Sequence, residues 1–266
     1  MKMVSATKFH RAVEAQRKAR AYAEQMQALF GRIASAAGLA AHPLMTPRAK
    51  PRHALLLVFT SDKGLCGGFN NRLVKEVSLW LADHKQHYER IDLSFCGRRG
   101  FNYFRTRARM RRHYEGITHR PQFENAVAVG KELCEIFLDG RYDEVFLAFN
   151  LFKSALTQTP LVRRLLPLQP DQLPKKADGP SPAYLFEPKG PDLLAWMLPR
   201  MVAYSVFEAL IENAAGEHGA RMTAMDNATS NADKVISHTT LLRNRARQAS
   251  ITKELIEIIS GAEALT

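Results

Sequence analysis

The pattern of apolar and polar positions at the C-terminal end of the chain predicts a very long helix. Residues 201–265 contain no proline, and their small and apolar side chains recur at spacings of three and four. An average spacing near 3.5 over several heptads is typical of a coiled-coil seam rather than of the wider apolar stripe of a globular helix. We therefore predict a helix whose seam needs a partner helix. The seam residues are Met225, Ala228, Ala232, Val235, Thr239, Leu242, Ala246 and Ala249.

The N-terminal end of the chain has a similar pattern. Residues 1–37 lack proline and are rich in good helix formers, and Gly38 followed by Pro43 is a normal helix stop. We predict that the two terminal helices wrap around each other as a long antiparallel coiled coil. The alternative, in which each helix packs separately on a globular core, stays open. The predicted seam of the first helix is Ala12, Ala15, Ala19, Tyr22, Met26, Leu29 and Ile33.

The central part of the chain predicts a different architecture. Residues 54–60 form a continuous apolar run of strand length, which is typical of a strand buried on both faces. Strands and helices then alternate, which predicts a small, Rossmann-like, mostly parallel α/β sheet. The predicted helices are 71–86 and 122–138, and the later strands are 91–96, 144–149 and an edge strand within 155–168.

These patterns predict three domains. They are an N-terminal coiled-coil helix at 1–40, an α/β domain with a proline-rich linker at 54–187, and a long C-terminal helix at 190–266. Pro199 predicts either a restart or a kink of that last helix.

Composition narrows the classes of function. The formal net charge of +12 suggests an anionic partner, and a nucleic-acid-binding adaptor is one reading of it. Arginines are densest within 98–112, which we interpret as a solvated basic face. The sequence shows no apolar run of membrane-spanning length and no secretory signal. Cys66, Cys96 and Cys134 form no metal-binding or disulfide pattern, so we predict three reduced thiols.

A glycine-rich turn at 61–70 (SDKGLCGGFN) allows three chemical readings. A phosphate cradle is disfavoured, because neither glycine pattern of the common nucleotide-binding motifs fits the turn. A nucleophile elbow would make Cys66 the nucleophile of a stand-alone hydrolase, with His113, His119, His218 or Asp143 as partner. The third reading is structural, with glycines that permit a tight turn and a close backbone approach.

The histidines on the first predicted internal helix do not indicate a metal site. His84 and His87 are three residues apart, but no third ligand stands near them in the sequence. We predict no cofactor, no metal and no catalytic constellation, apart from the hydrolase alternative.

Two stretches together resemble a known family. The turn at 61–70 is similar to the S-D-[RK]-G-L-C-G-G-[FY]-N signature of the gamma subunit of F-type ATP synthases. Residues 220–232, 244–255 and 259–262 resemble that family's C-terminal signature, and 1–8 resembles its K-M-V motif. The matching residues of the turn include Asp62, Gly64, Leu65, Cys66, Gly67, Gly68 and Asn70.

The resemblance implies a non-catalytic rotor. In such an ATP synthase the paired terminal helices form an asymmetric shaft inside a ring of alpha and beta subunits. The α/β domain meets the epsilon subunit and the membrane ring of c subunits, on the cytoplasmic face of the bacterial inner membrane. Rotation then couples ion flow to ATP synthesis or hydrolysis. The residues implied in contact with the beta subunit are Lys2, Met222, Met225, Asn227, Thr229, Arg247 and Gln248.

The start of the chain departs from the family pattern. Family members usually carry a further basic stretch before the K-M-V motif, whereas this sequence begins at that motif. We expect either that the true start lies upstream of Met1, or that the shaft tip at 249–266 lacks its antiparallel partner.

Overall fold

The computed structural model describes residues 2–37, 42–168 and 190–263. The chain divides into two compact units, Met1–Thr223 and Ala224–Thr266. The described elements are α1 (Lys2–Ala37), a 3-10 helix (Pro43–Met45), β1 (His53–Phe59), α2 (Phe69–His84), β2 (Arg90–Cys96), α3 (Arg98–Phe104), β3 (Met110–Tyr114), α4 (Phe123–Leu138), β4 (Glu144–Phe152), β5 (Gln158–Leu166) and α5 (Gly190–Glu263).

Strand β1 is the centre of a five-stranded sheet in the order β3-β2-β1-β4-β5. It pairs in parallel with β2 on one side and with β4 on the other. The pair β2–β3 is also parallel, whereas β5 pairs antiparallel with β4 at the sheet edge. These pairings confirm the predicted small, mostly parallel α/β sheet, including its edge strand.

The continuous apolar run of β1 is explained by two separate cores. Leu55, Leu57 and Phe59 face a core shared with α4 and α5, while Leu56 and Val58 face a core shared with α2 and α3. Successive strand residues point to opposite faces, so helices on both faces require an apolar residue at every position. The apolar run therefore predicted the strand correctly.

Within the first unit, α1 runs antiparallel to α5. Phe9 lies against Gly219, the side chain of Gln16 bonds to Glu212, and the hydroxyl of Tyr204 donates to the carbonyl of Ala19. Residue numbers on α5 fall as those on α1 rise, which is the predicted antiparallel pairing. The α5 residues in these contacts lie between 204 and 219, whereas the predicted seam residues from Ala228 to Ala249 are exposed, so the predicted seam positions on α5 were wrong. The separate-packing alternative is wrong for this part of the chain.

The seam of α1 differs from the predicted one. Ala15 is exposed, while Ser5 and Gln16 are buried. The buried positions thus include two polar residues, which a search for small and apolar side chains passes over. The side chains predicted at Tyr22, Leu29 and Ile33 lie outside the described ones.

Two short elements of the α/β domain were not predicted. Helix α3 and strand β3 lie in the arginine-rich stretch that we interpreted only as a solvated face. Strand β3 is at the sheet edge, where polar side chains are tolerated, so it lacks an apolar run. Arg111 and Arg112 on β3 both pair with Glu132 of α4.

Helix α5 continues through Pro199, so this proline does not mark a restart. The predicted stop at Gly38 lies outside the described residues, and so do residues 169–189, the larger part of the linker predicted at 167–191. In the second unit, the described residues form only the later part of α5, and positions 226–262 are exposed. Among the described residues, no helix carries an apolar stretch long enough to cross a membrane.

Candidate functional site

The glycine-rich turn is held by a small buried hydrogen-bond network. Its last residue, Asn70, accepts from the backbone N–H of Ser61 at 3.0 Å. The amide of Asn70 also donates to Ser61 Oγ at 2.7 Å and to Cys66 Sγ at 3.2 Å. Asn70 is buried at the start of α2, so the helix fixes the side chain that closes the turn.

Two residues of the turn occupy the left-handed region of backbone conformation. Gly67 has φ of 56° and Leu65 has φ of 63°. A leucine in this region is strained, because its Cβ approaches the backbone, whereas glycine carries no such cost. Leu65 is nevertheless 62% exposed. The turn thus uses its hydrogen bonds to hold an apolar side chain at the surface.

Asp62 joins the turn to two other segments. Its carboxylate accepts from the backbone N–H of Arg98, at the start of α3, and from the hydroxyl of Thr118 at 2.7 Å. A Cβ at Gly64 would lie 2.6 Å from the guanidinium of Arg99, which is the far end of a flexible side chain and could move aside. The signature residues therefore support the structural reading of the turn.

Cys66 does not have the surroundings of a nucleophile. It is 2% exposed, and burial raises the pKa of its thiol. Its sulfur contacts Asn70 and Ser61, and no imidazole bonds to it among the residues that the structure describes. A reactive cysteine needs an adjacent base or a lowered pKa. The cysteine-hydrolase alternative is therefore not supported.

The residues proposed as partners of Cys66 have other roles. Asp143 accepts from the backbone N–H groups of Arg52 and His53, at the start of β1, whereas Cys66 follows the end of that strand. His113 stacks on Phe101, with ring centroids 4.3 Å apart. Burial, followed by the charge of Arg221, lowers the pKa of His218 to about 4.

Helix α5 contacts the glycine-rich turn through the side chain of Arg221. The guanidinium of Arg221 donates to the carbonyl of Gly64 at 3.2 Å and to that of Lys63 at 3.3 Å. Arg221 also pairs with Glu217 one turn earlier. Burial raises the pKa of Glu217, although Arg221 acts in the opposite direction. A charged side chain of α5 is thereby fixed on the backbone of the signature turn.

The crevice that would hold a nucleotide is filled by the chain itself. In a doubly wound sheet, ligands bind at the carboxyl ends of strands where the strand order reverses, which is here between β1 and β4. Asn213 of α5 is buried there and donates to the carbonyl of Thr60 at 3.4 Å. Gly216 lies so close to Phe69 that a Cβ would be 2.8 Å from its ring. This occupancy argues against the phosphate-cradle reading.

A second concavity, of about 440 Å³, lies at the opposite end of the strands. Its cationic residues are engaged within the chain: Arg90 pairs with Asp92, Arg111 with Glu132, and Arg141 with Asp139. Among the residues 2–37, 42–168 and 190–263, no group of three or more His, Cys, Asp or Glu side chains could hold a metal ion.

The residues implied in beta-subunit contact fall in both units. Met222 is partly buried in the first unit, where α1 also begins at Lys2. In the second unit Met225 is partly buried, and its carbonyl accepts from the hydroxyl of Thr229 at 2.9 Å. The remaining three residues are exposed on α5: Asn227, Arg247 and Gln248.

One buried polar junction was not predicted. Glu212 of α5 bonds to Gln16 of α1 and to the backbone N–H of Phe152, at the end of β4. Its sequence neighbours form an ordinary helical stretch, so no local motif marks it. The only available signal was that Gln16 interrupts the apolar seam of α1.

Comparisons with known proteins agree with this geometry. The structure is a helix pair built on an α/β sheet whose ligand crevice the chain itself fills. Residues 1–265 match the family model described as ATP synthase. The ATP synthase gamma chain of Anaeromyxobacter sp. (strain Fw109-5) is 47% identical over 100% of this chain and 92% of its own length. That of Geobacter metallireducens is 40% identical over 100% and 91%. The chain therefore belongs to the ATP synthase gamma chain family, whose members are not themselves catalytic.

Solved structures share the fold. The central stalk and c-ring structure of the Tetrahymena thermophila mitochondrial ATP synthase contains a chain with TM-score 0.61 and 23% identity, covering 86% of this chain and 97% of its own. The rotor of the Euglena gracilis mitochondrial ATP synthase gives TM-score 0.57 and 14% identity, covering 94% and 98%. These likenesses confirm the predicted combination of an α/β sheet with a long C-terminal helix.

Proposed function

We propose that this chain is the rotating shaft of a bacterial F-type ATP synthase. Its long helix lies inside a ring of alpha and beta subunits, and its α/β part meets the epsilon subunit and the ring of membrane c subunits. The complex stands on the cytoplasmic face of the inner membrane. Identity of 47% over the whole chain with a bacterial ATP synthase gamma chain supports this assignment.

The exposed apolar helix of the second unit carries the proposal. Several of its large apolar side chains are more than half exposed, although they recur at helical spacings. Such a row requires a covering surface, because isolated soluble chains rarely expose extended apolar patches. A ring of subunits around the helix supplies that surface. The exposed residues include Val235, Ile236, Leu241, Leu242, Leu255, Ile256, Ile258 and Ile259.

Rotation acts on the catalytic sites because the shaft makes different contacts with each beta subunit. A ligand or partner shifts a conformational equilibrium only as far as it binds one state better than another. An asymmetric shaft presents a different surface to each beta subunit, so its angle decides which catalytic site is open. The chain contributes contacts rather than chemistry, and ATP is made or hydrolysed in the beta subunits.

Arg247 and Gln248 are the polar contacts in this scheme. Both are exposed in the second unit of the chain. A guanidinium can bind a carboxylate through two parallel hydrogen bonds, and the adjacent carboxamide adds a donor. We assign them to an acidic loop of the beta subunit. Lys2, Met222, Met225, Asn227 and Thr229 are assigned to the same subunit.

The test is a complex of this chain with its alpha and beta subunits. We expect Arg247→Ala with Gln248→Ala to lower the ATPase rate of that complex about tenfold or more, as losing one charge-assisted hydrogen bond of about 1.5 kcal/mol would. The unfolding of the free chain should not change, because both side chains are exposed. Arg243→Ala, on the same exposed helix, is the control. An unchanged ATPase rate in the double variant would contradict the assigned contact.

A further inference from the structure

A buried carboxylate joins three parts of the first unit. Glu212 of α5 is 4% exposed. Its Oε1 accepts from the side-chain amide of Gln16, on α1, at 2.7 Å. Its Oε2 accepts from the backbone N–H of Phe152, at the end of β4, at 2.8 Å. One side chain therefore bonds to both helices of the pair and to the sheet.

The chemistry of this junction is unusual for a coiled-coil seam. A carboxylate is an acceptor only, and here each oxygen is used by a donor from a different element. Gln16 is 7% exposed, so water does not replace either bond at low cost. Among the residues that the structure describes, Glu212 forms no ion pair. Its two oxygens are paired with these two neutral donors.

Two other contacts lie near this junction, but neither of them joins α1, α5 and the sheet together. The ring of Phe9 on α1 meets that of Phe152 edge-on, with centroids 5.8 Å apart. Glu208, one helical turn before Glu212, pairs with Arg163 of β5 and is partly exposed. That ion pair joins α5 to the sheet without involving α1.

We propose that Glu212 is a positioning residue that fixes the angle between the helix pair and the α/β sheet. The inference rests on the proposed function, because a shaft transmits torque only if its helices cannot turn relative to the domain at its base. Packed and hydrogen-bonded groups that form a contiguous chain can carry coupling between parts of a protein. Glu212 supplies such a connection among α1, α5 and β4.

The first experiment removes the carboxylate in the whole enzyme. The complete ATP synthase is placed in vesicles, and ions pumped per ATP hydrolysed are measured. Glu212→Ala should assemble, keep its hydrolysis rate and lower the pumping ratio about tenfold, the scale of one lost hydrogen bond to a charged group. Glu208→Ala is the matched control and should keep a ratio near that of the wild type.

The second experiment exchanges the two side chains. Gln16→Glu sets two carboxylates against each other at hydrogen-bond distance, so the pumping ratio should fall. In the double variant Gln16→Glu with Glu212→Gln, the new carboxamide donates to Glu at position 16 and accepts from Phe152. The ratio should then return to near wild type. Glu212→Gln alone should also stay near wild type, because the amide of Gln16 can turn over.

These outcomes distinguish a failure of the role of Glu212 from a failure of the proposed function. A wild-type pumping ratio in assembled Glu212→Ala enzyme, or a double variant no better than Gln16→Glu, overturns the role of Glu212. If Glu212→Ala does not assemble, the exchange decides alone. If the wild-type chain neither binds the ring nor supports pumping, the proposed function fails, and this inference fails with it.

Discussion

Two stretches of helix α5 both carry apolar side chains at helical spacings but have very different surroundings. Between 197 and 220, the side chains of Leu198, Val202, Val206 and Leu210 are fully buried in the sheet core. Between 226 and 262, comparable leucines and isoleucines are exposed. Both stretches are regular helix. The comparison shows that apolar spacing predicts the helix but not whether the chain itself covers the apolar face.

The two stretches also differ in what stabilises them. The first is held by burial, worth about 1.5–3 kcal/mol for each large apolar side chain. The second has no such contribution from within the unit, so its helical structure depends on local propensity until a partner covers it. The same type of substitution should therefore change stability by different amounts, or in opposite directions, in the two stretches.

The largest expected difference comes from matched leucine truncations. Leu210→Ala should lower the free energy of unfolding by about 2–5 kcal/mol, because it opens a cavity in the core. Leu242→Ala, at a position 51% exposed, should change it by less than about 0.5 kcal/mol. Urea unfolding followed by tryptophan fluorescence measures the first loss, since Trp80 and Trp196 lie in the first unit, and circular dichroism of the full chain measures the second. Equal losses would remove the distinction between the stretches.

A pH effect of intermediate size is expected at His218. Burial and nearby cations lower its pKa to about 4 in the folded chain. The unfolded chain, with an ordinary pKa near 6.5, binds the proton first, so stability is lost as pH falls from about 6.5 to 4. His218→Gln should reduce that loss by about 2–3 kcal/mol. The measurement is urea unfolding across this range.

The control for His218 lies on the exposed stretch. His238→Gln, in the second unit, should leave the dependence of unfolding on pH as it is in the wild type. An unaltered slope in His218→Gln as well would show that the acid loss arises elsewhere.

A smaller loss is expected where α5 lies against Phe69, the first residue of α2. In Gly216→Ala the new methyl group meets the ring of Phe69, which the core prevents from moving. The steric cost should exceed the gain in helix propensity, giving a net loss of about 1–2 kcal/mol in the free energy of unfolding. Chemical denaturation with the tryptophan signal measures it. A stabilised variant would mean that the helix and Phe69 are farther apart.

The smallest effect is a gain, on the exposed stretch. Gly261 has no atom within 4 Å of the position a Cβ would take. Gly261→Ala should therefore stabilise the local helix by up to about 1 kcal/mol, because glycine loses more conformational freedom on folding. Circular dichroism of the full chain should show slightly more helix, with the tryptophan unfolding curve unchanged. A loss of helical signal would place a neighbour against this glycine.

Sequence patterns predicted those elements whose residues follow one hydrophobic pattern throughout. The run in β1 is apolar because both faces are covered, and the long helices show their period plainly. Strand β3 was missed because its arginines pair with Glu132 and leave no apolar signal. The Glu212 junction was missed for a related reason, since a polar pair buried between distant segments has no local motif.

The signature turn shows another limit of sequence reasoning. Its glycines predicted a tight turn correctly, but the strained backbone of Leu65 depends on the network of Ser61 and Asn70 around it. The beta-contact residues remain a prediction, because the surface they meet belongs to another chain. Geometry within one chain can place such side chains at the surface but cannot identify what they bind.

The bond between Gln16 and Glu212 spans 196 positions of the chain. Hybrid chains made by exchanging one terminal helix with that of a relative would therefore keep this bond only where the relative carries the matching partner. Exchanging both ends together would keep the pair intact. The first and last segments of this chain should therefore evolve together.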